Sequence, residues 1–217
     1  MNSEKTTVNG CEYAISRYSA KVGVSELIHR FRDTEKFIAY CKECNKHNAC
    51  WACPPFDFDT DKYLISYQTA HIIGTKIALD KEIITQNQGQ DKCTKISYDI
   101  IGEVRKMKDA ELLLIEEQYP ESKAFFAGSC RICPIGECTK ITGKPCVSPE
   151  KIRPSLEAFG FDVSAISSEL LNIEMKWSLN GVLPEYFVLV GALFSVIVNE
   201  VEQSTNDREV FRKDMQR

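Results

Sequence analysis

The sequence lacks the features that mark several large classes of protein. It has no long basic run and its formal net charge is −4, whereas nucleic-acid-binding proteins carry a basic stripe or patch. Its longest apolar run, residues 187–198, has only twelve residues, and a membrane span needs about 20. No signal peptide is visible, because residues 1–10 are polar. We therefore expect a cytoplasmic protein that binds neither nucleic acid nor membranes.

Short catalytic and nucleotide-binding motifs are also missing. The sequence contains no GxGxxG, HExxH or GxSxG pattern. Gly143-Lys144 resembles the end of a phosphate-binding loop, but Pro145 stands where that loop requires Ser or Thr. No pair of carboxylates marks itself out as an acid and a base. The sequence therefore contains no motif that indicates a substrate, and it leaves open whether the protein is an enzyme.

Cysteine, by contrast, is abundant, and eight of the ten cysteines fall into two compact groups. Group one is Cys41, Cys44, Cys50 and Cys53, and group two is Cys130, Cys133, Cys138 and Cys146. Thiolates select zinc, copper(I) or iron–sulfur species over hard cations. In a cytosolic chain, clustered thiols indicate metal or redox chemistry rather than disulfides. We predict that each group binds one metal centre, although one ligand could be exchanged between them, as in two-cluster ferredoxins.

The spacing within the groups favours iron–sulfur clusters. A zinc ribbon separates its two CxxC pairs by about 15–20 residues, whereas five residues separate the pairs of group one. Iron–sulfur loops wrap one tight segment around the cluster, and the bacterial ferredoxin run ends in Cys-Pro, as Cys53-Pro54 does here. We interpret the two groups as ligands of two [4Fe–4S] clusters, with zinc as the alternative.

Three further residues are of a metal-ligating type, and several cations lie within the groups. His47, inside group one, is interpreted as a loop side chain or as a hydrogen-bond donor to a ligand, because four cysteines already complete the set. Cys11 and Cys93 lie outside both groups and are interpreted as spare thiols. Four thiolates on Zn²⁺ or on a [4Fe–4S]²⁺ core leave two net negative charges. Five cations within the loops either offset this charge or are simply solvated surface charges. These cations are Lys42, Lys46, Arg131, Lys140 and Lys144.

The remaining sequence has the periodicities of an α+β protein. Strands are predicted at 13–24, 70–79, 123–127 and 186–198, and helices at 25–40, 59–67, 93–118, 149–159 and 162–172. This order predicts a small mixed β-sheet flanked by helices, with two cysteine-rich metal-binding loops. We assign residues 1–198 to this single domain and residues 199–217 to a charged C-terminal tail.

The two cysteine signatures and the segment after them carry a resemblance to a known family. The stretches at 41–56, 127–146 and 149–163 resemble an uncharacterised prokaryotic family of predicted metal-binding proteins, a domain of unknown function. The likeness runs from about Tyr40 to Phe194. It implies metal binding through these cysteines and supplies no catalytic residue.

Three hypotheses for function follow from these observations. The leading one is a redox accessory protein that relays single electrons through two clusters to an unknown partner protein. The second is a zinc-stabilised structural or regulatory module without a redox role. The third is an enzyme with an open iron site, which would need an iron without a cysteine ligand, and eight cysteines for two clusters argue against it. The oligomeric state stays open.

Overall fold

The computed structural model describes residues 4–8, 11–134 and 136–196. Within them, five strands form one sheet in the order β1–β2–β3–β5–β4. The strands are β1 Glu4–Val8, β2 Cys11–Gly23, β3 Thr69–Leu79, β4 Ser122–Phe125 and β5 Tyr186–Ser195. The helices are α1 Val24–Phe31, α2 Thr34–Lys42, α3 Thr60–Ile65, α4 Lys81–Gln86, α5 Gln90–Gln118 and α6 Val163–Leu171. The tail predicted at 199–217 lies outside the described residues.

The α+β class is confirmed, but the sheet is antiparallel in all its described pairs rather than mixed. The connections explain the difference. The last residue of β2, Gly23, pairs with the first residue of β3, Thr69, so α1 to α3 return the chain to the end of the sheet that it left. An alternation of strands and helices predicts parallel pairing only where each helix crosses the sheet to start the next strand at the opposite end.

Helices cover both faces of the sheet, and β5 lies between them. On one face Val190 and Phe194 of β5 belong to a core shared with α1, α3 and α6. On the other face Phe187 and Leu193 pack in the clusters that contain α5. A strand buried on both faces has a continuous apolar sequence, which explains the long run from residue 187. Among the helices of the described residues, none combines the length and apolar composition of a bilayer-spanning segment.

The helix predicted at 149–159 is wrong over most of its length. Only Glu157–Phe159 forms a 3-10 turn, and the residues before it are extended or in turns. Their backbone pairs with the end of β4 instead: the Phe126 N–H donates to the carbonyl of Pro154, 3.1 Å away. Phe126 and Ser155 also form a parallel bridge. This extended segment leads the chain from group two back to the sheet.

A buried ion pair fixes the extended segment to α5 and β4. Arg153 donates from Nε to the Glu116 carboxylate at 2.7 Å and also from Nη2, and both side chains are largely buried. Glu116 accepts two further hydrogen bonds, from Lys123 Nζ and from the Ala124 N–H. Burial alone would raise the pKa of Glu116, but the bonds from Arg153 and Lys123 outweigh it and lower that pKa below 4.5. One carboxylate therefore joins three segments that flank the cysteine groups.

We expect Glu116→Gln to lower the free energy of unfolding by about 3 kcal/mol, because it leaves the Arg153 guanidinium buried without its counter-charge. Since the pKa of Glu116 is lowered on folding, the contribution of the pair is present above about pH 4.5 and is lost as the pH falls. Urea denaturation at pH 7 and pH 4 measures both effects. The control is Glu169→Gln, which breaks the exposed pair with Arg30 and should cost about 0–1 kcal/mol. Equal losses in the two variants would contradict the prediction.

Candidate metal centre

Helix α2 brings the first cysteine of group one to the site. Asp33 caps the helix with its side chain, and its N–H donates to the carbonyl of Gly160 at 2.9 Å. Gly160 has a φ of +86°, and a Cβ there would lie 2.9 Å from the Thr34 Cα, so glycine is required for this approach. At the other end of α2, the Cys41 thiol donates to the carbonyl of Glu157, 3.8 Å away. The turn at 157–160 therefore holds both ends of the helix that carries Cys41.

The two cysteine groups pack directly against each other. Lys140, in the 3-10 turn of group two, donates from Nζ to the carbonyls of Cys53 and Pro55, each 3.0 Å away. In the opposite direction, Trp51 of group one donates from Nε1 to the carbonyl of Lys144 at 3.2 Å. Lys140 was predicted as a cation that offsets charge, and in the structure it also bridges the two loops.

Cys50 lies at the junction of the two groups. It is 4% exposed, and interaction with the thiols of Cys130 and Cys53 lowers the pKa of Cys50. Interaction with Cys50, together with burial, raises the pKa of both Cys53 and Cys130. Cys50 and Cys130 thus line the same pocket, although they are 80 residues apart in the sequence.

A pocket of about 60 Å³ opens between the groups. Its walls carry five thiols: Cys50, Cys130, Cys133, Cys138 and Cys146. Apolar side chains complete the lining, among them Trp51, Ile132 and Ile141. The other three cysteines of group one do not line it. Cys50 of group one therefore lines the same pocket as the four cysteines of group two.

Backbone N–H groups point at several of the sulfurs. In two cases the donor is the N–H two residues further along the chain: Lys46 to Cys44 (3.5 Å) and Ser148 to Cys146 (3.4 Å). The N–H groups of Ala52 and Ile132, at the same spacing, lower the pKa of Cys50 and oppose the rise at Cys130. Hydrogen bonds to sulfur favour the thiolate over the thiol. Because thiolates are the form that binds metal, this local geometry suits the chemistry predicted for the cysteines.

Sequence reasoning missed a buried cation on α5. Arg105 donates from Nη1 to the carbonyl of Ser129 at 2.6 Å and from Nη2 to Asp109 at 3.1 Å. Burial raises the pKa of Asp109 to about 6, against the opposing effect of Arg105. The predicted cation Arg131 lies over the ring of Tyr98, 4.0 Å from its centroid. No local signal marks Arg105 as buried, since Val104 and Lys106 flank it in the sequence.

Glu157 is a second buried charged group that the sequence did not reveal. Its Oε2 atom is buried and has no hydrogen-bond partner among the described residues. Burial raises the pKa of this carboxyl, while Ser155 and Arg105 act in the opposite direction. The negative charge of Glu157 in turn contributes to a raised pKa at Cys41, where burial is the main cause. An unpaired buried acceptor of this kind is rare in native proteins.

The cysteines have the right donor chemistry, but they are not yet arranged as a ligand shell. The nine cysteines whose side chains are described are all free thiols. Within the described ranges, no three Cys, His, Asp or Glu side chains lie close enough together to hold an ion as they stand. Binding would therefore draw the loop sulfurs closer, and the assignment of all eight as ligands stays a prediction. The thiolate donors themselves fit zinc or an iron–sulfur cluster.

Cys93 and His47, which were not assigned to either ligand set, lie in different parts of the structure. Cys93 is buried and donates to the carbonyls of Asn87 and Gly181, at 3.0 and 2.9 Å, so it belongs to the core beside α5. His47 is half-buried, and its backbone N–H donates to the carbonyl of Cys44. These contacts fit the interpretation of Cys93 as a thiol outside the metal site.

We expect Lys140→Met to loosen the contact between the two groups, because it removes two hydrogen bonds from a charged donor. In metal-free protein, the buried thiol of Cys50 should then react with iodoacetamide about tenfold faster, which corresponds to about 1.4 kcal/mol of lost protection. Peptide mass spectrometry measures the rate at that position. Lys151→Met, at an exposed lysine of the same region, is the control and should leave the rate unchanged. Equal rates in the two variants would show that Lys140 does not hold the loops together.

Comparison with known proteins identifies a family for this chain. A family model described as "Predicted metal-binding protein (DUF2284)" matches residues 28–193, a segment that contains both cysteine groups. Neither the curated proteins nor the solved structures include a match to the chain. The resemblance seen in the cysteine signatures is thereby confirmed at the level of the family. The chain belongs to this family of predicted metal-binding proteins.

Proposed function

We propose that this protein binds two iron–sulfur clusters through its eight grouped cysteines and passes single electrons to a partner electron-carrier protein. The observation that carries the proposal is that Cys50 of group one lines the same pocket as Cys130 and the other cysteines of group two. It joins two separate thiol groups into one region, as adjacent redox centres require. The absence of a substrate motif in the sequence is consistent with a relay rather than with an enzyme.

The contacts of Cys50 support a particular division of the ligands. Cys41, Cys44 and Cys53 affect one another electrostatically, and Cys138 and Cys146 do the same to Cys133. Cys50 interacts with both sets. We infer that Cys50 lies between the two centres. It completes the first set and remains close to Cys130 of the second.

The size of the pocket favours a cluster over a single ion. Its volume is about 60 Å³, several times the roughly 10–15 Å³ that a cavity needs to hold one water molecule. A zinc ion is no larger than a water, so closing four cysteines on zinc requires a larger movement of the loops than closing them on a cluster. A cluster of several iron and sulfide atoms therefore fits this pocket with less rearrangement.

The chain supplies the surroundings that a redox centre needs. A bound iron–sulfur cluster supplies one-electron exchange at a potential set by cluster type, hydrogen bonds to sulfur and solvent exposure. The N–H groups that donate to Cys44 and Cys146 would favour the reduced, more negative state. The apolar side chains Ile132, Ile141 and Val147 are exposed in the loops of group two. Protein interfaces have such apolar side chains at their centres. We therefore expect the partner to dock on the surface formed by these three residues.

We expect protein purified without oxygen, and reconstituted with iron and sulfide, to be brown and to hold about eight iron and eight sulfide atoms per chain, the content of two [4Fe–4S] clusters. Dithionite should bleach the visible absorption and produce an EPR signal. Cys93→Ser, at a thiol outside the site, is the control and should bind the same amount of iron. Colourless protein with two zinc ions per chain would contradict the proposal and support the zinc-binding structural module.

We expect the ligand variants to separate the two centres. Cys44→Ser and Cys133→Ser should each lose about half of the bound iron, because each belongs to only one set. Cys50→Ser should lose more than either, because Cys50 contacts both sets. Iron and sulfide analysis of the three variants measures these losses. If all three variants lose the same half of the iron, Cys50 serves a single centre, and the inferred position of Cys50 between the two centres is wrong.

A further inference from the structure

Arg105 is a buried guanidinium that α5 directs toward group two. Its side chain is 5% exposed, although arginine is almost never fully buried without compensating partners. Nη1 donates to the carbonyl of Ser129, the residue before Cys130, at 2.6 Å. Gly128 lies beside it, and a Cβ built there would be 3.8 Å from Nη1. The guanidinium therefore lies against the backbone that leads into Cys130.

The hydrogen bonds of Arg105 are incomplete among the described residues. Nη2 donates to Asp109 at 3.1 Å, but the Nε atom is buried without an acceptor. Leaving a charged donor buried and unpaired costs more free energy than any single hydrogen bond returns. An acceptor of negative charge is thus expected next to Arg105 in the working protein.

The charge around Arg105 is also only partly compensated. Burial lowers the pKa of Arg105, while Asp109 and the thiolate form of Cys130 favour its charged state. Arg131, which lies over the ring of Tyr98, adds a second positive charge close to Arg105. Asp109 provides the nearby carboxylate and forms an ion pair with Arg105. One carboxylate therefore faces two guanidinium groups next to the backbone that leads into Cys130.

We propose that Arg105 is a positioning residue for the metal centre at Cys130: it fixes the backbone at Ser129, and its charge stabilises the negative charge that the centre carries. The proposal rests on the proposed function for its redox test. The Asp109 carboxylate holds the guanidinium in place by accepting a hydrogen bond from Nη2. The unpartnered Nε–H is available to the ligand sulfur or to the group that it binds. This role differs from that of a structural arginine, because it predicts an effect on the centre as well as on the fold.

The test compares the midpoint potentials of Arg105→Gln, Arg105→Lys and Asp109→Asn in iron-loaded protein, titrated with dithionite at pH 8. Arg105→Gln removes a positive charge, so the one-electron reduction constant of one centre should fall about tenfold, equivalent to a shift of about 59 mV to lower potential. Arg105→Lys keeps the charge and should recover more than half of that shift. Asp109→Asn removes a negative charge and should move the potential in the opposite direction.

The matched control is Arg17→Gln, which removes an arginine that pairs with Glu111 on the exposed side of the same helix. Its potentials should equal those of the wild type. Potentials unchanged in Arg105→Gln would overturn the proposal. If that variant does not fold, Asp109→Asn decides, and an unchanged or lower potential there overturns the proposal as well.

A second measurement separates this proposal from the cluster proposal. Metal-free protein is titrated with Co²⁺, whose absorption reports thiolate ligation, and the affinities of Arg105→Gln and Arg17→Gln are compared. A tenfold weaker affinity in Arg105→Gln alone, in a protein that takes up no iron, would support the role of Arg105 while excluding the clusters. Equal Co²⁺ affinities together with equal potentials would overturn the role of Arg105 while leaving the clusters in place.

Discussion

The position of group two depends on the hydrogen bonds and ion pairs that the Glu116 carboxylate makes. This carboxylate accepts hydrogen bonds from Arg153, Lys123 and the Ala124 N–H, so one buried anion joins α5, β4 and the extended segment after Cys146. β4 is only four residues long and lies at the edge of the sheet, where pairing alone would hold it weakly. The ion pair supplements that pairing, and the loops of group two begin and end on the segments that it joins.

The fold was predictable wherever one periodicity dominated a segment. The long helix, β3 and β5 were found close to their observed bounds, because each has a clear pattern of apolar residues. Strand β1 was missed, although Asn9-Gly10, a typical hairpin dipeptide, stands between Val8 and Cys11 in the sequence. The direction of pairing could not be derived, because it depends on which end of the sheet the chain returns to. The helix expected at 149–159 failed because Pro154 and Arg153 make long-range contacts that no local pattern records.

The site was predictable in its ligands and not in its surroundings. Eight cysteines with short spacings are recognisable in the sequence as candidate metal ligands, and the family match extends over both groups. The contact of Cys50 with Cys130 depends on how two distant loops pack, and the sequence contains no signal for it. Arg105 and Glu157 were missed for a related reason, since a charged residue in an amphipathic sequence is normally assigned to the solvent side. Only the structure shows that their unpaired Nε and Oε2 atoms are buried near the cysteines.

The strand order has a consequence for the synthesis of this protein. β5 is the last described strand along the chain, yet it lies between β3 and β4. A nascent chain therefore exposes group one on the ribosome long before the sheet can close, and contacts between such distant segments form slowly. Until β5 has emerged, Cys50 has neither a finished sheet behind it nor a settled position for Cys130. Whatever metal the thiols take, their full set assembles only on a chain translated past residue 195.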